Sequence, residues 1–141
     1  MTSDRWIRVV LVLLAISATV VGAWAQLAPR SFFVNFPGGG RHWVAVDGGY
    51  NEHLVRDVGG LNLALAVVTI AAAVWLIPRL IQAATAAWLV YSVPHLIYHA
   101  NHLAIYRTFD KVANMVSLGL TVVAPLVVLI VSLRGDPVTS P

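Results

Sequence analysis

Three histidines within ten residues are the part of this sequence best suited to chemistry. The segment "PHLIYHANHL", residues 94 to 103, places His95, His99 and His102 four and then three residues apart. At about 100° per helical residue, this spacing puts the three imidazole rings on one narrow helix face, and Tyr91 extends it. Neutral imidazole binds zinc, iron and haem, and it also serves as a general acid or base. A helix here would carry a candidate metal, haem or proton-transfer site.

A second polar group, "YNEHLVRD", occupies residues 50 to 57. Glu52 precedes Arg56 by four residues, a spacing that allows an ion pair within one helix. His53 precedes Asp57 by the same spacing. If this group faced the histidines, a carboxylate could complete a zinc or iron site, His53 could hold a haem from the opposite side, or Glu52 could exchange protons with a histidine without any metal.

These patterns give two sets of candidate site residues. The candidate metal ligands are His53, His95, His99 and His102, and the candidate ligand-binding residues are Glu52, Arg56, Asp57 and Tyr91. A simpler interpretation is also open, because the same residues would suit polar helix ends in the lipid headgroup region.

The elements that must position these residues are membrane helices. The 141 residues are 59% hydrophobic and 11% charged, and the mean hydropathy of +0.80 is far from that of ordinary soluble domains. Cysteine is absent, which excludes disulfides, thiolate metal sites and thiol nucleophiles. The net charge of +3 is too small and too scattered to indicate a nucleic-acid partner, so the lipid bilayer is the expected one.

Four stretches are long and apolar enough to cross a bilayer, which takes roughly 20 residues each. They run over about residues 6–26, 55–77, 80–102 and 113–133. The sequence therefore predicts one all-α domain over residues 1–141, a four-transmembrane-helix bundle with one long loop between helices 1 and 2. The second and third predicted helices are joined by a tight turn at Pro78 and Arg79, so we expect them to be neighbours.

The alternation of helices places all five histidines on one side of the membrane. The basic residues in the shortest segments, next to helix ends, favour a cytoplasmic location for both termini in the cytoplasmic membrane. Those residues are Arg5, Arg8, Arg79 and Arg134. An alternative is a cleaved signal peptide, because Ala23-Trp24-Ala25 follows the first apolar run.

Glycines suggest a close helix contact near the second polar group. Gly59 and Gly60 remove side-chain bulk in the second predicted helix, and we expect another helix to approach there. Asn62 follows and offers a hydrogen bond deeper in the bilayer.

The segments "YNEHLVRDVGGLNLALAV" and "PHLIYHANHL" resemble the small, uncharacterised four-helix membrane proteins of actinobacteria, and in outline the chain is similar to the DoxX-like group. The first resemblance covers most of the chain and implies no activity. The second implies an accessory role in a redox-associated membrane complex, and it transfers no site residue because no motif matches residue by residue.

The sequence thus leads to one main hypothesis and one alternative. The main hypothesis is an outward-side pocket of His, Glu and Asp residues that binds a metal such as zinc or iron, a haem or a small amphiphile. The alternative is an accessory subunit that stabilises a larger membrane complex through a membrane-protein partner.

Overall fold

The chain folds into a bundle of four long helices with one short helix at its end. The computed structural model describes residues 2–134, with side chains from residue 4 onward. In chain order the helices are α1 (Thr2–Leu27), α2 (Pro29–Asn35), α3 (Glu52–Trp75), α4 (Pro78–Asn101) and α5 (Thr108–Arg134). The helices α1, α3, α4 and α5 are each long and apolar enough to span a membrane. The predicted all-α, multi-pass bundle is confirmed.

Several helix ends differ from the predicted bounds. α3 begins at Glu52 instead of residue 55, because the Asn51 side chain caps it by accepting a hydrogen bond from the Leu54 N–H at 3.3 Å. α4 begins at Pro78, since proline suits the first turn of a helix, so the tight turn lies at Leu76 and Ile77. The predicted long loop also contains α2, which the hydropathy pattern did not indicate.

The two ends of the bundle differ in their connections. We call the end that carries residues 28–51 and 102–107 the loop end, and the end that carries Leu76 and Ile77 the turn end. All five histidines lie at the loop end, as the alternation of helices predicted.

The long helices associate as two pairs, because α1 packs along α3 and α4 packs along α5. At the turn end all four contribute to one apolar core, formed by Ile7, Leu11, Ala72, Ala73, Ile81, Ala84 and Val128. At the loop end the buried core of Ala25, Phe32 and Val55 comes from α1, α2 and α3. The pairs are therefore joined at the turn end and leave space between them at the loop end.

Small residues bring α1 and α3 close together. A Cβ atom added at Gly59 would lie 2.7 Å from the backbone nitrogen of Gln26, and one added at Gly22 would lie 2.9 Å from that of Leu63. Gly60 faces open space, with no atom within 4 Å of such a Cβ. The predicted close contact is therefore correct for Gly59 and wrong for Gly60, because only Gly59 is on the face of α3 that meets α1.

Candidate functional site

A cavity of about 440 Å³ lies between the two helix pairs at the loop end. Its apolar wall includes Val21, Phe32, Phe33, Phe36, Trp43, Val44, Leu54, Val55, Val58, Trp88 and Leu118. Its polar lining includes Ser17, Asp47, Asn51, Asn62, Tyr91, His95, His99, Asn114, Ser117 and Thr121. Each of the five helices contributes to the wall, so the cavity exists only in the assembled bundle.

Aromatic rings of α4 form one wall of the cavity, which we call the aromatic column. It consists of Trp88, Tyr91, His95 and His99, followed beyond the helix by Tyr106. Successive ring centroids along it are 6.4, 5.5, 4.8 and 6.0 Å apart. The spacing of three or four residues keeps these rings on one helix face, as predicted. Tyr91, His95 and His99 therefore lie where the sequence analysis expected candidate site residues.

His102 does not join the other two histidines of α4. The helix ends at Asn101, and the backbone of His102 leaves the helical conformation with φ −118° and ψ 22°. Its Nδ1 lies 2.7 Å from the carbonyl oxygen of Tyr98, and its ring stacks on Tyr98 at 4.1 Å. The predicted three-histidine face is thus wrong at its last member, because the helix stops one residue too early.

The charged residues at the start of α3 do not face the histidines. Arg56 pairs with Glu52 at 2.8 Å and donates to the carbonyl oxygen of Gln26 on α1. His53, whose side chain is 82% exposed, lies 3.2 Å from Asp57.

The packing of α3 against α1 explains this arrangement. With Gly59 held against α1, the residues of α3 that line the cavity are Asn51, Leu54, Val55, Val58 and Asn62. Arg56 and Asp57 instead line a separate surface groove together with Gln26 and Gly60. The prediction that Glu52, His53, Arg56 and Asp57 complete the histidine site is therefore wrong.

The candidate ligand residues are not arranged to bind a metal ion or a haem. Across residues 2–134, no three His, Asp or Glu side chains are arranged so that they could hold a metal ion. His53 lies outside the cavity that His95 and His99 line, so it is not placed to bind a haem iron opposite them.

Polar groups that the sequence analysis did not single out also line the cavity. Asn114, which is 3% exposed, lines it from α5, and Ser117 and Thr121 follow on the same helix face. The Oδ1 atom of Asn114 is buried and has no hydrogen-bond partner among the described residues. A spacing of three and then four residues for polar side chains in an otherwise apolar span was the available sequence signal.

The loop after α2 bridges the two helix pairs above the cavity. Arg41 forms an ion pair with Asp110 of α5, and the Nε1–H of Trp43 donates to the same carboxylate oxygen at 2.9 Å. The Tyr98 hydroxyl donates to Asp47 Oδ1 at 3.2 Å. Residues 41–47 thereby connect the α1–α3 pair to α4 and α5, and they place Asp47 at the mouth of the cavity.

Tyr106 connects this loop to the aromatic column. Its hydroxyl donates to the carbonyl oxygen of Trp43 at 3.2 Å and lies 3.2 Å from Nδ1 of His99. Burial, together with the nearby Asp47 carboxylate and Tyr98, raises the pKa of Tyr106 to about 12, so the phenol is neutral at physiological pH. When the Tyr106 hydroxyl donates to Trp43, Nδ1 of His99 can donate to the Tyr106 oxygen, and Nε2 is then the acceptor of that imidazole.

Comparisons of the chain with protein-family models, with curated proteins and with solved structures find no match.

Proposed function

We propose that this protein binds a small, uncharged amphiphile from the surrounding membrane in the cavity at its loop end, without a metal or haem. The observation that carries the proposal is the cavity between the helix pairs, with apolar walls and a few convergent polar groups. Small-molecule sites in proteins have this composition, and their volumes run from roughly 300 to 1,000 Å³. The 440 Å³ found here suits a ring with a short alkyl chain.

The lining supports an uncharged ligand. Among the described residues that line the cavity, the ionisable ones are Asp47, Tyr91, His95 and His99, and neither arginine nor lysine is included. Asp47 already accepts a hydrogen bond from Tyr98 at the mouth. An anionic ligand would thus lack a fixed cationic partner, and burying an unpaired charge is costly.

Exposed lining residues support entry from the bilayer. Leu54 and Val58 of α3 line the cavity yet are 58% and 40% exposed, and Ser17 of α1 and Ser117 of α5 are also exposed. The cavity is therefore open between the helix pairs at the level of the spanning segments. A lipid-soluble molecule could enter sideways without crossing the aqueous loop.

The proposal places the chain in the cytoplasmic membrane with the loop end outside. Basic residues lie at the helix ends on the turn side, and the positive-inside rule assigns such ends to the cytoplasm. They are Arg5, Arg8, Arg79 and Arg134. The ligand would then bind in the outer half of the bilayer.

Direct detection of a co-purifying ligand tests the proposal. The protein is purified in a mild detergent, and an organic extract and native mass spectra are recorded. We expect about one neutral amphiphile per chain. Leu118→Trp, which fills the cavity from α5, should reduce its occupancy at least five-fold. Leu120→Trp is the matched control, because Leu120 is on the same helix but 61% exposed.

The accessory-subunit alternative makes the opposite prediction. A membrane protein that co-purifies in fixed ratio, with no amphiphile in the extract and equal behaviour of the two tryptophan variants, would favour it and remove the reason for a ligand site. The accessory role that the DoxX-like resemblance implies stays a prediction.

A further inference from the structure

The α5 side of the cavity offers hydrogen-bond acceptors, because the hydroxyl donors of Ser117 and Thr121 are already used. On α5 the Ser117 hydroxyl donates to the carbonyl oxygen of Asn114 at 2.9 Å, and the Thr121 hydroxyl donates to that of Leu118 at 2.8 Å. A hydroxyl has one hydrogen and two lone pairs. Both side chains can therefore still accept a hydrogen bond, but neither has a proton left to donate.

The facing helices show the same pattern. The indole N–H of Trp88 donates to the hydroxyl oxygen of Thr69 at 3.0 Å, which occupies the only donor of that ring. One of the two N–H donors of the Asn62 amide is used, because it donates to the carbonyl oxygen of Val58 at 2.9 Å. Its oxygen remains an acceptor on the cavity side of α3.

Among the described residues that line the cavity, Asn114 is the one with a buried acceptor that lacks a partner. Its Oδ1 is buried in the cavity wall without a partner among residues 2–134, although the residue is only 3% exposed. An unsatisfied buried acceptor destabilises the folded protein, and such groups in proteins are generally paired. A donor that enters the cavity would remove this cost.

We infer that the ligand carries a hydroxyl or N–H donor at the end that lies against α5, where it binds the acceptors of Asn114, Ser117 and Thr121. This inference rests on the proposed function. A cationic donor does not suit the position, because Asp47, the only carboxylate among the described lining residues, is at the mouth. An ammonium ion without a counter-charge is costly within the bilayer. The ligand class is therefore a neutral alcohol, phenol or amide with an apolar body.

The distance that these acceptors span along α5 limits how many of them one polar group of the ligand can contact. Asn114 and Thr121 are seven residues apart, which is about 10 Å along a helix at 1.5 Å per residue. A single hydroxyl can contact only part of this strip, so a ligand with two donors along one edge would use it more fully.

A pair of probes that differ by one hydroxyl tests the inference. 4-Hexylphenol and hexylbenzene are titrated into the full-length protein in nanodiscs, and binding is followed by the fluorescence of Trp43 and Trp88 in the cavity wall. Partition into empty nanodiscs is subtracted for each probe. We expect the phenol to bind roughly 10-fold more tightly than hexylbenzene, the usual effect of one buried hydrogen bond.

Variants locate the group that recognises the hydroxyl. Asn114→Leu should reduce the preference for the phenol to two-fold or less, whereas Asn101→Leu, an exposed asparagine on α4, should leave it unchanged. If Asn114→Leu fails to fold, Ser117→Ala combined with Thr121→Val removes two of the acceptors and should lower the preference at least three-fold.

The outcomes separate this inference from the proposed function. If both probes bind wild-type protein equally, or if the preference survives loss of the α5 acceptors, the inference is overturned and the proposed function stands. If neither probe binds above partition, the proposed function itself is overturned.

Discussion

Trp88 belongs both to the packed core of the bundle and to the wall of the cavity. It is 2% exposed and packs with Leu14, Ala18 and Ala66 in the central core, while its ring also closes the deep end of the cavity. Its hydrogen bond to Thr69 links α4 to α3 where the two helix pairs begin to separate. We therefore expect this residue to contribute both to stability and to the shape of the site.

Removing this hydrogen bond should destabilise the protein measurably. We expect Trp88→Phe to lower the free energy of unfolding by about 1–2 kcal/mol, from the lost hydrogen bond and the smaller ring. A double-mutant cycle with Thr69→Val, measured by denaturant unfolding in detergent micelles, should give a coupling energy of about 0.6 kcal/mol, as is typical between membrane helices. Strictly additive effects would show that the pair does not interact.

Tyr106 should make stability fall at high pH. Its pKa in the folded protein is raised to about 12 from an ordinary value of 10, so folding favours the neutral phenol. The stability that it contributes is therefore fully present below pH 10 and is lost as the pH rises toward 12. We expect the free energy of unfolding of the wild-type protein to fall more steeply over this range than that of Tyr106→Phe. Parallel profiles would contradict the raised pKa.

At the scale of the helices, the small-residue contact between α1 and α3 decides which residues reach the cavity. Gly59 holds one face of α3 against Gln26, which turns Asn51, Val58 and Asn62 toward the cavity and Arg56 and Asp57 away from it. The charged start of α3 is therefore a surface feature, although it is only a few residues from the site in sequence.

Replacing Gly59 or Gly60 with alanine should show which face of α3 meets α1. Gly59→Ala would place its Cβ 2.7 Å from a backbone atom of α1, so we expect the free energy of unfolding to fall by about 1–3 kcal/mol. Gly60→Ala meets no atom within 4 Å and should cause no loss. Thermal unfolding in detergent measures both, and equal midpoints would show that α1 and α3 do not approach at Gly59.

The helices themselves follow from hydropathy, but their partners do not. Four apolar stretches were sufficient to predict the bundle, and a period near 3.6 was sufficient to place Tyr91, His95 and His99 on one face. The tight turn led to the expectation that α3 and α4 would be neighbours, with the polar start of α3 facing the histidines. The two helices are in contact, but α3 packs mainly on α1 through Gly22 and Gly59. Which faces meet depends on contacts between residues far apart in sequence, and hydropathy does not encode them.

At the scale of the whole molecule, the two helix pairs are closed at one end and bridged at the other. The shared apolar core joins them at the turn end, and residues 41–47 connect them above the cavity at the loop end. The space between is therefore bounded at both ends of the bundle and open between the helix pairs. This explains why the sequence indicated the histidine side of the site but not Asn114, which another helix brings to it.

Orientation in the membrane is a prediction at this scale. We expect reporter fusions after Arg79 and after Pro141 to behave as cytoplasmic, because both follow an even number of spans from a cytoplasmic N-terminus. A reporter inserted near Gly39 should lie on the opposite side. An exported C-terminal fusion would invert the proposed orientation, and a mature N-terminus at Gln26 would favour the signal-peptide alternative.

The central claim, that the cavity between the helix pairs binds a membrane-soluble amphiphile, is tested most directly by photolabelling. A neutral amphiphile with a short alkyl chain and a diazirine group is incorporated with the protein into nanodiscs, irradiated, and its attachment sites are mapped by mass spectrometry. We expect labelling at Val58 and Leu118 in the cavity wall, suppressed by excess unlabelled amphiphile, and weaker, unsuppressed labelling at Leu61 and Leu120 on the outer faces. Labelling confined to the outer faces, or insensitive to the competitor everywhere, would contradict the claim.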